Sequence, residues 1–345
     1  VQIILFILIF TVIILVHEGG HFIIGKKSGI GVVEFSLGLG PTIWGFTRGG
    51  TKYSIKALPF GGACQFEGFD GDELDSSPTS FMNAPVMARI ATVFAGPFMN
   101  FVLAFFLSLF VVGSIGYDAP VVSDVMEGYP AEKAGLKAGD EIVKVGTDHI
   151  EIYRDISLNL MLNEGEAREI TYRRDGQLYK TILEPEYNAE AGRYLFGIMG
   201  GARVKGNVFQ TIRYSLAEVR YWIEVTWKSL GMIFKGKVTK DDVAGPVGVA
   251  QVVGDVYEQS KTSGIFYIWI NMMMLTILLT ANLGVMNLLP IPALDGGRLV
   301  FLILEAVLGR PVNRKAEAFV HFIGMVVLLV LMFLVCFNDI SRFFH

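Results

Sequence analysis

Three ionisable residues, His17, Glu18 and His21, interrupt a run that otherwise reads as a helix buried in lipid. Residues 3–16 are apolar apart from Thr11, and Phe22-Ile23-Ile24 resume the run. Ionisable groups at that depth are costly and mark a function. The spacing narrows the choice. On a helix, residues four apart project from one face, so His17 and His21 offer two imidazole nitrogens to one metal ion. Glu18 stands beside them, placed to take a proton from water. The bland alternative is a helix face whose histidines only pair with polar neighbours. It is disfavoured because two of the chain's five histidines fall in this pattern inside an apolar span.

The pattern His-Glu-x-x-His is the arrangement of zinc hydrolases. Its setting is membranous. The 345 residues are 52% hydrophobic and 18% charged, with mean hydropathy +0.49. That balance fits a polytopic membrane protein carrying a soluble insert. Four segments are long enough to span a core about 30 Å thick: about 3–25, 90–115, 264–289 and 318–337, the last with His321 as its one ionisable group. The first lacks a basic leader and a small-residue cleavage site, so it is expected to be retained as a span. An even number puts both termini on one side. Lys26, Lys27, Arg48, Lys52 and Lys56 lie in the loop between the first two spans. Arg298, Arg310, Arg314 and Lys315 lie between the last two, and Arg342 follows the final span. Basic connecting loops favour the cytoplasm, which leaves the termini and residues 116–263 outside. Asp70, Asp72, Glu73 and Asp75 temper that signal in the first loop. The net charge of −4 argues against a nucleic-acid partner. Cys64 and Cys336 form no spacing motif and are read as neither ligands nor a disulfide.

Further along, residues 26–69 are dense in glycine, and Arg48-Gly49-Gly50-Thr51 reads as a hairpin turn. A small sheet beside the site could bind an extended peptide by strand addition or simply cap the bundle; both readings stay open. In the second span, Gly96, Pro97 and Asn100 read as a packing kink in preference to a direct catalytic element. Residues 117–203 change character: Pro130 to Val145 gives a short helix, a glycine turn and a strand, with further strands near 167–173, 178–184 and 194–199. The segment resembles a PDZ domain, which implies either a groove for peptide ends or a size filter at the entrance. In 208–234, Val208, Ile212, Leu216, Val219, Ile223, Trp227, Leu230 and Phe234 share one helical face. That predicts an amphipathic helix on the membrane surface, with packing on the PDZ-like module as the alternative. The third span ends in Asn282 to Arg298, where Pro290 and Pro292 break the helix and Asp295 precedes Gly296-Gly297. Two histidines leave a catalytic zinc one protein ligand short. By spacing, Asp295 is either that ligand or a turn residue.

Together these residues resemble the site-2 protease family of intramembrane zinc metalloproteases, in its bacterial branch with a single PDZ domain. The resemblance covers nearly the whole chain. It implies that His17, His21 and Asp295 hold Zn²⁺, that Glu18 is the catalytic base, and that Asn287, in the pattern N-x-x-P-x-P-x-L-D-G, contacts substrate. Gly96, Pro97 and Asn100 match the family's G-P-x-x-N segment, and about 34–69 its membrane-associated β-hairpin. The expected fold is a four-helix membrane protein with that hairpin region and one inserted extracytoplasmic PDZ domain. Its divisions are 1–116, 117–203, an amphipathic interfacial linker at 204–263, and 264–345. Implied partners are the lipid bilayer and single-span membrane substrates, such as anti-sigma factors after a first cut or remnant signal peptides. The implied location is a bacterial inner membrane, with the active site near the cytoplasmic face. One departure stands out: Gly19 follows the glutamate where the family has a bulky apolar residue, and Gly20 follows it. Two glycines cost a helix about 1 kcal/mol each relative to alanine, which predicts a close neighbour or a loosened helix. A non-catalytic PDZ adaptor would predict a damaged metal site, and a metal carrier would predict polar sites at several depths. The sequence has neither.

Overall fold

Hydropathy becomes helix where it is expected. In the computed structural model, four helices are long and apolar enough to cross a membrane: Gln2–Lys27, Val86–Ile115, Ile265–Leu288 and Lys315–Ser341. The described residues are 1–69, 77–163, 165–237 and 244–341. Asp70, Asp72, Glu73, Asp75 and Arg342 lie outside them. In chain order the first elements are α1 (Gln2–Lys27), β1 (Val32–Arg48), β2 (Thr51–Phe66) and α2 (Val86–Ile115). Next come β3 (Tyr117–Asp118), β4 (Val122–Val125), α3 (Pro130–Lys133), β5 (Glu141–Val145), β6 (Asp148–His149) and α4 (Tyr153–Leu162). They are followed by β7 (Arg168–Arg174), β8 (Gln177–Leu183), β9 (Glu186–Asn188), β10 (Arg193–Leu195), β11 (Ile198–Gly200) and β12 (Arg203–Val204). The chain continues with α5 (Val208–Phe234), α6 (Pro246–Lys261), α7 (Ile265–Leu288), α8 (Asp295–Leu308) and α9 (Arg314–Ser341). Two compact units result: Val1–Ala104 with Leu230–His345, and Phe105–Ser229.

In the first unit, α1 buries Phe6, Ile9, Ile13, His17, Gly20, His21 and Gly25. Steps of three and four make this one face, and the metal motif sits on it. Phe6, Ile9 and Ile13 pack with Val253 of α6 and Met272 of α7. The two adjacent glycines have separate roles. A Cβ on Gly20 would stand 2.4 Å from the Ala95 carbonyl oxygen of α2, whereas one on Gly19 meets nothing within 4 Å. The expected close neighbour is therefore present at Gly20, and α1 stays continuous through both.

The hairpin β1–β2 turns at Gly49 and Gly50, with φ of 59° and 78°, the pair of positive dihedrals that a two-residue hairpin turn of this hand requires. Arg48 pairs with Thr51 across it. The strands then fold back on themselves, so that residues 34–37 face both 52–55 and 62–65. Glu34 anchors this curl: its carboxylate accepts from Ser54 Oγ at 2.8 Å and pairs with Lys52 at 3.0 Å and Lys56 at 3.1 Å. Burial opposes its charge, but those donors outweigh it and draw its pKa down to about 2. The returning segment runs against α1: a Cβ on Gly62 would touch Ile14 at 2.7 Å and Glu18 Cγ at 3.2 Å.

Two helices of this unit were not foreseen. The 290–317 connection, read as a loop, contains α8. The 204–263 stretch, expected as one interfacial linker, forms α5 and a separate helix α6, which packs on α1, α7 and α9. The α6 N-terminus is capped from α9: Asp339, 3% exposed, accepts from the backbone N–H of Gly245 at 3.2 Å and of Gly248 at 2.8 Å. A carboxylate there satisfies orphan donors and meets the positive end of the helix dipole.

In the second unit, the sheet order is β6-β5-β7-β8. The alternation of its strands closes a core around Ile142, Val145, Ile170, Leu183 and Phe196, each no more than 2% exposed. The strands anticipated at 167–173 and 178–184 are β7 and β8, and the helix–turn–strand reading of 130–145 is α3 and β5. The helix α4 lies between β6 and β7, and its N-terminus is capped by Asp155, whose carboxylate accepts from the backbone N–H of Glu151 and Ile152. Asp140, 1% exposed, accepts Arg174 Nε and Nη2, each at 2.7 Å. Burial opposes its charge, and the guanidinium holds its pKa below the usual carboxylate range.

The helix α5 divides its faces. Val208, Phe209, Ile212, Leu216 and Trp227 are 41–83% exposed, while its charged side bonds the module. Arg154 of α4 pairs with Asp118 of β3 at 3.1 Å and closely with Glu218 of α5. Arg220 reaches Asp155 at 2.6 Å. Packing on the module and an outward apolar face thus coexist on one helix.

Two paired outcomes follow. In denaturant unfolding in detergent, Gly19→Ala is expected to stabilise by up to about 1 kcal/mol. The same change at Gly20 is expected to destabilise by about 1–3 kcal/mol, because α2 must be pushed back. Arg154→Ala leaves Asp118 and Glu218 buried and unpaired, so it should destabilise the Phe105–Ser229 unit by about 3 kcal/mol, read as earlier loss of hydrogen-exchange protection in β5 and β7.

Candidate metal centre

The α1 periodicity turns both histidines toward α2, and α2 fixes them. His21 Nδ1 donates to the Thr92 carbonyl at 2.9 Å, so its proton is on Nδ1 and Nε2 carries a lone pair. Gly96 makes room for the ring, since a Cβ there would lie 2.2 Å from His21 Nε2. His17 Nδ1 lies 3.1 Å from the side-chain amide of Asn100, which is fully buried. Asn100 is itself tied to α7 through its carbonyl, which accepts from Thr280 Oγ1 at 3.2 Å.

The carboxylate arrives from the other side. Asp295 is the first residue of α8, following a tight loop in which Ile291 N–H donates to Leu289 O at 2.7 Å and Leu294 N–H to Ile291 O at 3.2 Å. Ala293 has φ of 75°, a left-handed conformation that a non-glycine residue adopts only when its surroundings impose it. The two glycines after Asp295 let α8 start against this loop. A Cβ on Gly296 would lie 2.2 Å from Leu289 O, and one on Gly297 2.4 Å from Ile291 O. The Asp-Gly-Gly run is therefore a helix start whose two glycines are required by backbone approach.

These elements bring His17, His21 and Asp295 together. Asp295 Oδ2 is 3.2 Å from His17 Nε2 and 3.4 Å from His21 Nε2, and the two Nε2 atoms are 3.3 Å apart. The triangle is nearly equilateral and all three residues are buried or half-buried. It fits a tetrahedral ion: donors about 2.0–2.1 Å from zinc lie about 3.3 Å from one another. Asp295 Oδ2 is also buried with no hydrogen-bond donor, a costly state for a carboxylate oxygen unless a cation completes it. Two imidazoles and a carboxylate are a zinc donor set.

Glu18 is half-buried beside His17 and makes no hydrogen bond among the described residues, so its carboxylate is available. Asn287 lies in the last turn of α7, half-buried; it is outside the triangle and makes no side-chain hydrogen bond among the described residues. Sequence reasoning missed Thr92, whose contribution is a backbone carbonyl and leaves no side-chain signal. It also undervalued Asn100, which was read as part of a kink although a lone amide in an apolar span already called for a partner.

Comparison with known proteins agrees with this geometry. The model of "Peptidase family M50" matches residues 5–331. A protein of Clostridium acetobutylicum, provisionally named a zinc metalloprotease, is 36% identical over 98% of this chain and 97% of its own length. The regulator of sigma-W protease RasP of Bacillus subtilis is 29% identical over 99% of both chains, and the zinc metalloprotease RasP of Geobacillus kaustophilus is 29% identical over 99% and 98%. A solved PDZ domain of an SdrC-like protein from Listeria monocytogenes covers 25% of this chain and 92% of that one, at 19% identity and a TM-score of 0.23. With a family match over nearly its whole length and relatives that align end to end, the chain belongs to peptidase family M50, the site-2 proteases, and is a zinc metallopeptidase with several apolar helices suited to a membrane.

Proposed function

We propose that this protein hydrolyses peptide bonds of single-span membrane proteins within the bilayer, with His17, His21 and Asp295 holding the zinc and Glu18 acting as base. The observation that carries the reading is the convergence of three donor atoms at 3.2–3.4 Å, two of them from a helix long and apolar enough to span and one from α8, with Glu18 alongside. Zinc bound there supplies a Lewis acid that polarises the scissile carbonyl and acidifies water. Glu18 takes the proton of the attacking water and returns it to the leaving amine. Thr92 and Asn100 orient the two imidazoles so that both Nε2 atoms face Asp295. Asn287 is assigned to the substrate backbone on the family pattern.

A helical substrate has its amides paired internally and must unwind before attack. The β2 segment that passes Glu18 supports a role for the hairpin in holding the chain extended by strand addition. Substrates of this class include anti-sigma factors already cut once and remnant signal peptides. The relative named regulator of sigma-W protease favours the first. The basic loops support a bacterial inner membrane setting, with the site toward the cytoplasm and the PDZ-like module outside, where it screens substrates by size. The exposed apolar face of α5 supports its lying at the membrane surface.

The amide of Asn100 is assigned a definite orientation. O and N of an amide are distinguished by their partners. His17 Nε2 must be free of a proton to serve a metal, so Nδ1 bears it and needs an acceptor. The structure sets Asn100 Nδ2 at 3.1 Å from His17 Nδ1 and leaves Oδ1 buried without a partner; exchanging the two lets Oδ1 accept from His17 Nδ1. Asn100→Leu is expected to weaken zinc binding about 10–100-fold in competition with a chelator, and Asn100→Asp to retain it.

The reading itself is tested with purified protein and a single-span substrate in detergent. Glu18→Gln should bind one zinc yet lose about 10²–10⁴-fold in cleavage rate. A variant that cuts as fast as wild type would remove Glu18 from the mechanism, and a wild type that binds no zinc would refute the ligand assignment.

A further inference from the structure

Two backbone donors of the Phe105–Ser229 unit go unused in its fold. The loop between β10 and β11 spends its carbonyls on neighbours: Ala131 N–H donates to Phe196 O at 2.9 Å and Met126 N–H to Gly197 O at 2.8 Å. The N–H groups of Phe196 and Gly197 have no partner among the described residues, although both residues are buried. Gly197 has φ of 77° and is pressed on Tyr129, since a Cβ there would lie 2.2 Å from the Tyr129 Cβ. Consecutive N–H groups beside a left-handed residue form a concave site for an anion. The carboxylate that ends a peptide chain is captured by such backbone sites.

The same loop lines a cavity of about 600 Å³, a size typical of ligand pockets. Its walls are apolar at Met126, at Ile156 and Leu160 of α4, and at Val225 of α5. Arg193 is the one charged residue among the described residues that line it. Unpaired N–H donors, a single cation and an apolar hollow together suit an extended chain end: its carboxylate on the loop, its last side chain, an apolar one, in the hollow.

Such a chain would also need a strand to lie against. The strand β11 has one edge on β4 and no strand on the other among the described residues. Carbonyls alternate in direction along a strand. Gly197 O is on the β4 side, so Ile198 O points to the open edge, where an added strand would place an N–H. That carbonyl is already engaged. Tyr153, the first residue of α4, donates its hydroxyl to Ile198 O at 2.8 Å. Its ring lies against the strand: a Cβ on Gly200 would stand 2.3 Å from the ring, and one on Gly201 3.1 Å. Two residues without side chains thus leave the space that the ring fills.

We propose that Tyr153 is a latch on this groove. Its hydroxyl holds the place of a ligand's backbone N–H, and an extended chain end with an apolar last residue enters only when Tyr153 swings out. The latch is independent of the metal centre and of the protease reading.

The test uses the full-length protein in detergent and a short fluorescein-labelled peptide that ends in leucine with a free carboxylate, with binding read by anisotropy. Tyr153→Phe keeps the ring and removes the latching hydroxyl. It is expected to tighten Kd about three- to tenfold, because the groove no longer has to break that bond to open. The same peptide with a C-terminal amide should bind both proteins much more weakly. Ser157 is exposed on α4 and lines the cavity, so Ser157→Trp fills the hollow from a surface position and should abolish binding. A Tyr153→Phe protein that binds no more tightly than wild type would overturn the latch. So would equal binding of the acid and the amide, binding that Ser157→Trp leaves intact, or no binding to either the wild type or Tyr153→Phe.

Discussion

The contact between α1 and α2 sets the rest of the site. Two glycines, one on each helix, remove the side chains that would hold the helices apart: Gly20 against Ala95, and Gly96 against the His21 ring. Only at that separation does the Thr92 carbonyl reach His21 Nδ1 and the Asn100 amide reach His17 Nδ1. In an apolar span there is no water to satisfy either ring nitrogen, so a helix that drifts outward exposes two imidazoles and an amide to a medium that offers them nothing. Packing and polar satisfaction therefore reinforce each other, and both converge on the same pair of Nε2 lone pairs.

The carboxylate of the triangle depends on a different constraint, the abrupt reversal between α7 and α8. Pro290 and Pro292 end one helix, Ala293 takes a left-handed backbone, and Gly296 and Gly297 let the next helix begin against the carbonyls of the last. Asp295 is held at the head of α8, where unpaired backbone N–H groups favour a carboxylate. The α9 helix supports the turn from outside through His321 and Gly324. Two structural problems, placing a carboxylate inside an apolar bundle and turning a chain sharply there, are solved by one segment.

Much of this could be read in the sequence because the strongest signals are local. The four-residue step from His17 to His21, the apolar runs, the Gly49-Gly50 turn and the Pro130 to Val145 segment each specify nearby backbone, and each appears where the pattern puts it. What escaped depends on distant residues. The helices α4, α6 and α8 are short or only half-apolar, and their stability comes from the surfaces they meet. Thr92 acts through its main chain, which no residue type advertises. For α5 the periodicity was right and the choice of faces was posed as exclusive, whereas the ion pairs of Arg154 and Arg220 occupy the charged side and leave the apolar side outward. The Asn287 assignment stays with the family pattern, because the geometry of the triangle does not involve it.

The donor atoms of His17, His21 and Asp295, positioned to bind a metal ion, also bear on which ion fits there. Magnesium and calcium, far more abundant than zinc, take six or more ligands, nearly all of them oxygens. Two of the three donors here are imidazole nitrogens, each held at its other ring nitrogen by a backbone carbonyl or an amide, and the third is a single carboxylate. Among divalent ions this set favours those content with four ligands and nitrogen donors. The helix contact that turns two imidazoles to one point thus also sets the donor chemistry by which metals are told apart.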